Sequence, residues 1–224
     1  MRPRLSSCVF AAAGLLACSH TVELRPAPGA RQVPGQAATA VAEANGVRVS
    51  ASGRWNGDPG DLWNKVMPVR VTIENNSGTP VRIRYNDFTL TSTAGVVFYA
   101  IPPFQPERPV VVKPRFPVSG FSVAAPFAAF YPGYPSWVGP FDYDPAYFSS
   151  GYQWPSSLPS TDVLAKAMPI GVLADGGSAE GYLYFPKLPN NVHAATFTAT
   201  LVSATAQAQV AQISIPFVVF VDGN

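Results

Sequence analysis

Residues 69–85 read VRVTIENNSGTPVRIRY, two runs of alternating side chains on either side of a turn. A valine or isoleucine at every second position from 69 to 73 alternates with polar residues, the period of two expected for a half-buried strand. Residues 75–80 are rich in Asn, Ser, Gly and Pro and are typical of a turn. The sequence therefore predicts two strands. They either pair as a hairpin, with Glu74 opposite Arg82, or lie in opposite sheets of a sandwich.

The same alternation recurs along much of the chain, whereas helical periodicity is nearly absent. Further strand candidates begin at Val47 and include residues 88–90, 96–101, 181–185, 195–202 and 207–221. One short helix of about two turns is predicted, because Ser160 or Thr161 can cap it and Pro169 stops it. About eight short strands without interleaved helices predict an all-β fold, an antiparallel β-sandwich.

Residues 102–158 differ in composition from the strand-rich parts on either side. They hold half of the chain's 24 prolines and a dense series of aromatic rings. We interpret them as a long insertion within one sandwich domain of residues 45–224. The rings either fold back onto a sheet, form a contact surface or belong to a disordered segment; Tyr and Trp suit contacts with proteins, sugars or the membrane–water boundary. The residues of the predicted contact surface are Tyr131, Tyr134, Trp137, Phe141, Tyr143, Tyr147, Tyr152 and Trp154.

The strand-and-turn pattern also resembles a known family. Residues 69–78, 86–90 and 95–99 are similar to the Ig-like domain of many bacterial surface lipoproteins of unknown function, and residues 176–185 resemble the region where such domains re-enter the sheet. The resemblance covers roughly residues 46–101 and 159–221. It implies an Ig-like β-sandwich and carries no catalytic residues to this chain.

The first 18 residues carry a targeting pattern. Two arginines precede an uncharged stretch at residues 5–17, which predicts a signal peptide over residues 1–17. Leu15-Leu16-Ala17-Cys18 resembles the lipobox of bacterial lipoproteins, which implies cleavage before Cys18 and acylation of its thiol. Ser19 is similar to the enterobacterial sorting signal for the outer membrane. We therefore expect a lipid-anchored protein of the cell envelope; the alternative is an ordinary cleaved signal followed by an incidental cysteine.

Removal of the signal changes the charge of the chain. Two of the 15 basic side chains leave with it, which brings the mature chain to the same number of basic as of acidic side chains, 13. A neutral chain lacks the clustered Lys and Arg of nucleic-acid binding, so no nucleic-acid partner is expected. No later apolar run reaches the ~20 residues that cross a bilayer. Residues 18–44, rich in Ala, Pro, Gly and Gln, are predicted to be a flexible tether.

Few residues are candidates for catalysis or metal binding. His193 lies in a predicted turn and His20 beside the lipidation site, so no nucleophile has an evident base. The close carboxylates Asp142–Asp144 and Asp58–Asp61 lack the ligand count of a calcium loop. After cleavage and acylation no free thiol remains, and at most one histidine is usable, so a zinc site is not expected. We therefore expect neither an enzyme, nor a cofactor, nor a metal.

Three functional hypotheses remain open, because a fold does not determine function. The first is a lipid-anchored, non-catalytic structural or interaction module whose partner is another envelope protein. The second is a module that binds glycan or peptidoglycan through the aromatic residues of 127–154. The third is a hydrolase that uses His193 and Asp142.

Overall fold

The computed structural model describes residues 21–103, 122–124, 127–128, 160–206 and 208–222. Within these residues, two antiparallel sheets pack as an Ig-like β-sandwich with one short α-helix, which confirms the predicted fold class. The strands are β1 (Thr21–Pro26), β2 (Gln32–Val33), β3 (Gln36–Ala44), β4 (Val47–Ser52), β5 (Val66–Asn75), β6 (Val81–Ile83), β7 (Phe88–Ser92), β8 (Val97–Tyr99), β9 (Ser122–Ala124), β10 (Phe127–Ala128), β11 (Gly171–Leu173), β12 (Gly177–Pro186), β13 (Ala194–Ser203) and β14 (Gln209–Asp222). The α-helix, α1, spans Thr161–Ala165.

The strands are divided between two sheets. Sheet A has the order β1-β14-β13-β6-β11-β10, and β7, which also pairs with β13, carries β8 on its other side. Sheet B has the order β2-β3-β4-β5-β12-β9. The main core lies between the sheets, where the alternating apolar residues of both converge. At its centre, the ring of Phe197 stacks on Phe88 and meets the edge of Phe185, with centroids 6.2 and 6.3 Å apart.

The two alternating runs of residues 69–85 lie in opposite sheets, so the second of the two predicted arrangements is the correct one. Strand β5 belongs to sheet B and β6 to sheet A. Glu74 accordingly lies opposite Arg48 of β4 and not opposite Arg82. The crossing between the sheets is held by the buried Asn75, whose side-chain amide donates to the carbonyls of Thr79 and Ala174 at 2.9 and 3.1 Å.

The predicted flexible tether over residues 18–44 is wrong for residues 21–44, which form β1, β2 and β3 with short turns between them and belong to the sandwich. Strand β1 pairs with β14 along its whole length, from Thr21 opposite Asp222 to Pro26 opposite Phe217. Strand β3 pairs with β4 from Thr39 to Ala44. The side chain of Leu24 is fully buried in the main core. Ala and Gly have low strand propensity, but pairing with long neighbouring strands overrides that local preference.

The predicted insertion of residues 102–158 contributes two short strands to the sandwich. Strand β9 pairs with β12, and β10 pairs with β11. The insertion therefore adds an edge strand to each of the two sheets. In the part of the chain that the structure describes, no helix has the length and apolar character required to span a membrane.

Gly53 marks the closest approach of β1 to the end of β4. A Cβ at Gly53 would lie 2.5 Å from the carbonyl oxygen of Leu24 and 2.7 Å from its nitrogen. Because backbone atoms must move apart, we expect Gly53→Ala to lower the free energy of unfolding by about 1–3 kcal/mol, measured by urea denaturation. Gly60→Ala is the matched control, since nothing lies within 4 Å of its Cβ position. Equal stability of the two variants would contradict the packing of β1 against sheet B.

Candidate functional site at the base of the insertion

A second apolar cluster lies on the outer face of sheet B, separate from the main core. Leu183 and Phe185 of β12 enter the main core, and successive side chains of a strand point to opposite faces. Tyr182 and Tyr184 are therefore directed outward, yet they are buried as well. The cluster, which we call the insertion base, consists of Trp55, Leu62, Val66, Ile101, Val163, Ala167, Tyr182 and Tyr184.

Both ends of the insertion meet at Tyr184. Before the insertion, the backbone N–H of Ile101 donates to the Tyr184 carbonyl at 2.5 Å. After it, α1 covers the ring, and the Tyr184 hydroxyl donates to the carbonyl of Val163 at 2.8 Å. One buried tyrosine therefore holds the point where the insertion leaves the sandwich and the point where it returns.

The start of α1 is fixed by polar contacts with the segment that follows β4. Ser160 caps the helix as predicted, accepting from the N–H of Val163 at 3.3 Å, and its hydroxyl donates to the Asp58 carbonyl at 2.6 Å. The Asp162 carboxylate accepts from the Asp58 N–H at 3.0 Å and pairs with Lys166 at 2.6 Å. These partners lower the pKa of Asp162, with Lys166 as the largest cause. The helix has five residues, fewer than the two turns expected from the sequence.

Aromatic rings fill the space between α1 and β12. The ring of Trp55 meets Tyr182 edge to face, with centroids 4.9 Å apart, and its indole N–H donates to the Pro59 carbonyl at 2.9 Å. The Tyr182 hydroxyl lies 3.0 Å from the Arg54 carbonyl and 2.9 Å from Oδ1 of Asn56. The polar atoms of these rings are thus hydrogen-bonded within the protein. The insertion base is therefore a packed structural cluster that holds the two ends of the insertion.

The two phenols of the insertion base are poor candidates for proton transfer. Burial raises the pKa of Tyr184 above its ordinary value, and the neighbouring Tyr85 raises it further. Burial also raises the pKa of Tyr182, although the nearby guanidinium of Arg70 acts in the opposite direction. Both hydroxyls therefore stay protonated at neutral pH and act as hydrogen-bond donors.

The predicted site residues are not brought together by the described part of the structure. Cys18, His20, Asp142, Asp144 and the eight aromatic residues of the predicted contact surface lie outside the described residues. His193 is exposed in the turn between β12 and β13, where its backbone carbonyl accepts from the N–H of Val219 at 2.8 Å. Within the described ranges, no three His, Cys, Asp or Glu side chains are arranged to hold a metal ion.

The insertion base was not predicted from the sequence, although a signal for it is present. Residues 181–185 form an uninterrupted apolar run, and such a run indicates a strand that is covered on both faces. Trp55 lies in a turn-rich segment whose only candidate functional residues in the sequence analysis were Asp58 and Asp61. Those carboxylates are exposed, and the backbone of Asp58 makes the structural contacts.

Comparison with known proteins shows no significant similarity: no family model, no curated protein and no solved structure matches the chain.

The hydroxyl of Tyr184 gives a direct test of the insertion base. Tyr184→Phe leaves the buried carbonyl of Val163 without its donor, so we expect the free energy of unfolding to fall by about 1–3 kcal/mol. Tyr182→Phe is the control, because the hydrogen bonds of its hydroxyl with Arg54 and Asn56 are only partly buried, whereas the bond between Tyr184 and Val163 is fully buried. Chemical denaturation of both variants at neutral pH measures the difference. A smaller loss in Tyr184→Phe than in Tyr182→Phe would contradict this assignment.

Proposed function

We propose that this protein is a lipid-anchored, non-catalytic module of the cell envelope, and that its insertion contacts another envelope protein. The observation that carries the contact role is the convergence of both insertion ends on Tyr184. Long loops displayed on a rigid scaffold commonly carry a protein's function.

The insertion base lowers the entropy cost of ordering the insertion when it binds a partner. Residue 101 is held by the backbone carbonyl of Tyr184, and residue 160 by its hydrogen bonds with Val163 and Asp58 at the start of α1. Ordering a loop on binding costs conformational entropy, and fixed loop ends remove part of that cost in advance. The aromatic composition of residues 131–154 supports a protein partner, because Tyr and Trp dominate the energetically important positions of protein interfaces.

Lipid anchoring is supported by the sequence at the start of the chain. Leu15-Leu16-Ala17-Cys18 follows two arginines and an apolar stretch, the order of parts in a lipoprotein signal. Each acyl methylene buried in a bilayer contributes about 0.8 kcal/mol, so several chains on Cys18 anchor the protein stably. Ser19 supports the outer membrane as the location.

The anchor is tested at Cys18. We expect the intact mass of the membrane-extracted protein to equal residues 18–224 plus acyl groups, and the protein to sediment with membranes. Cys18→Ala removes the thiol that would be acylated, so it should lose the added mass and leave the membrane fraction. An unmodified thiol in the native protein, or an uncleaved start, contradicts the anchor.

The contact role is tested by deletion of residues 131–154. This deletion keeps β9, β10 and the insertion base, so we expect thermal unfolding like that of the native protein. We also expect loss of a partner that is crosslinked to the native protein in intact cells. Deletion of the exposed residues Thr205 and Ala206, in the turn between β13 and β14, is the control. Retention of the partner by the 131–154 deletion contradicts the proposal, and binding of isolated peptidoglycan by the native protein alone favours the glycan alternative.

A further inference from the structure

The first strand begins very close to the proposed lipid anchor. Thr21 stands three residues after Cys18. Three residues of fully extended chain span at most about 11 Å. Strand β1 is paired with β14 from its first residue onward, so the chain after Thr21 cannot extend to increase the distance from Cys18. A bilayer that holds the acyl groups of Cys18 must therefore lie next to the start of β1.

The register of sheet A shows which other parts of the molecule share that end. Thr21 lies opposite Asp222, so β14 ends there. Strand β13 starts at the same end, because the N–H of Val219 donates to the carbonyl of His193. The turn between β7 and β8 follows, since the N–H of Thr93 donates to the carbonyl of Ala194. We call this the anchor end: the start of β1, residues 93–97, residues 187–193 and residues 219–222.

Large apolar side chains are exposed at the anchor end. Val96 is 52 % exposed, Val97 45 % and Phe220 38 %. The guanidinium of Arg25 lies over one face of the Phe220 ring, 3.7 Å from its centroid. In the described ranges, Tyr99, two positions further along β8, is the one other large hydrophobic side chain with such exposure. Single exposed apolar residues are ordinary on protein surfaces, but these three share one end of one sheet.

The opposite end of the sandwich is polar in the part that the structure describes. Its turns present Asn45, Asn76, Asp175 and Thr205, all exposed. Strand β14 has 14 residues, which at ~3.4 Å per residue places the two ends about 45 Å apart. The two ends therefore differ both in distance from Cys18 and in surface chemistry.

We propose that the sandwich stands on the membrane through its anchor end, with Val96, Val97 and Phe220 in the headgroup region of the bilayer. This inference rests on the lipid anchoring proposed above. The short link brings the anchor end to the surface, and the exposed apolar side chains then gain by leaving water. The turns at 45–46, 76–80 and 204–206 face away from the membrane.

Single-cysteine labelling tests this orientation on the full acylated protein. Val96→Cys and Ala206→Cys each add one thiol to a mature chain in which Cys18 is acylated, and both positions are exposed. Each variant is labelled with an environment-sensitive fluorophore and reconstituted in phosphatidylcholine–phosphatidylglycerol vesicles that contain brominated lipids. We expect several-fold stronger quenching of the label at position 96 than of the label at position 206.

A third variant, with a Gly/Ser spacer of about 20 residues between His20 and Thr21, separates the anchor from the sandwich by ~25 Å on average. We expect it to keep its acyl groups and to lose most of the quenching at position 96. Intact masses are measured for every variant. Acylated protein with equal quenching at positions 96 and 206 overturns the orientation and leaves the anchor standing, whereas missing acyl mass overturns the anchor itself.

Discussion

Residues 181–185 of strand β12 are buried on both faces of the sheet. The main core packs against one face, and the insertion base packs against the other. Leu183 and Phe185 join the main core, while Tyr182 and Tyr184 pack outward under α1. A buried hydroxyl requires an acceptor, because an unpaired polar group costs free energy inside a protein. The Val163 carbonyl meets that requirement for Tyr184, and the Arg54 carbonyl and Asn56 meet it for Tyr182. The phenol of Tyr184 therefore holds the point where the insertion rejoins the sandwich, and the backbone carbonyl of Tyr184, which accepts from the N–H of Ile101, holds the point where it leaves.

The pairing of β1 with β14 fixes the start of the domain at one edge of sheet A. It replaces a long flexible connection with a strand that begins three residues after Cys18. On the proposed anchor, the domain stays near the bilayer and keeps one orientation.

Local sequence patterns predicted an element correctly where all the residues that identify it lie in one segment. Alternation identified β5 and β13, and the Ser160 cap with Pro169 identified α1. Residues 21–44 were misassigned because alanine and glycine give little local preference, and because β1 forms only against β14, at the opposite end of the chain. The insertion base was missed for a similar reason: Trp55, Ile101 and Tyr184 come from three separate segments, and their contact is not visible in any one of them.

The sequence by itself determined the side-chain period, the turns, the single helix cap and the lipobox-like pattern before Cys18. Each of these depends on residues within a few positions of one another. Only the tertiary structure decided that β5 and β6 lie in different sheets, that Thr21 pairs with Asp222, and that Tyr184 gathers the ends of the insertion. The physical reason is that these choices depend on the total burial and hydrogen bonding of segments far apart in the chain. No local pattern records that sum.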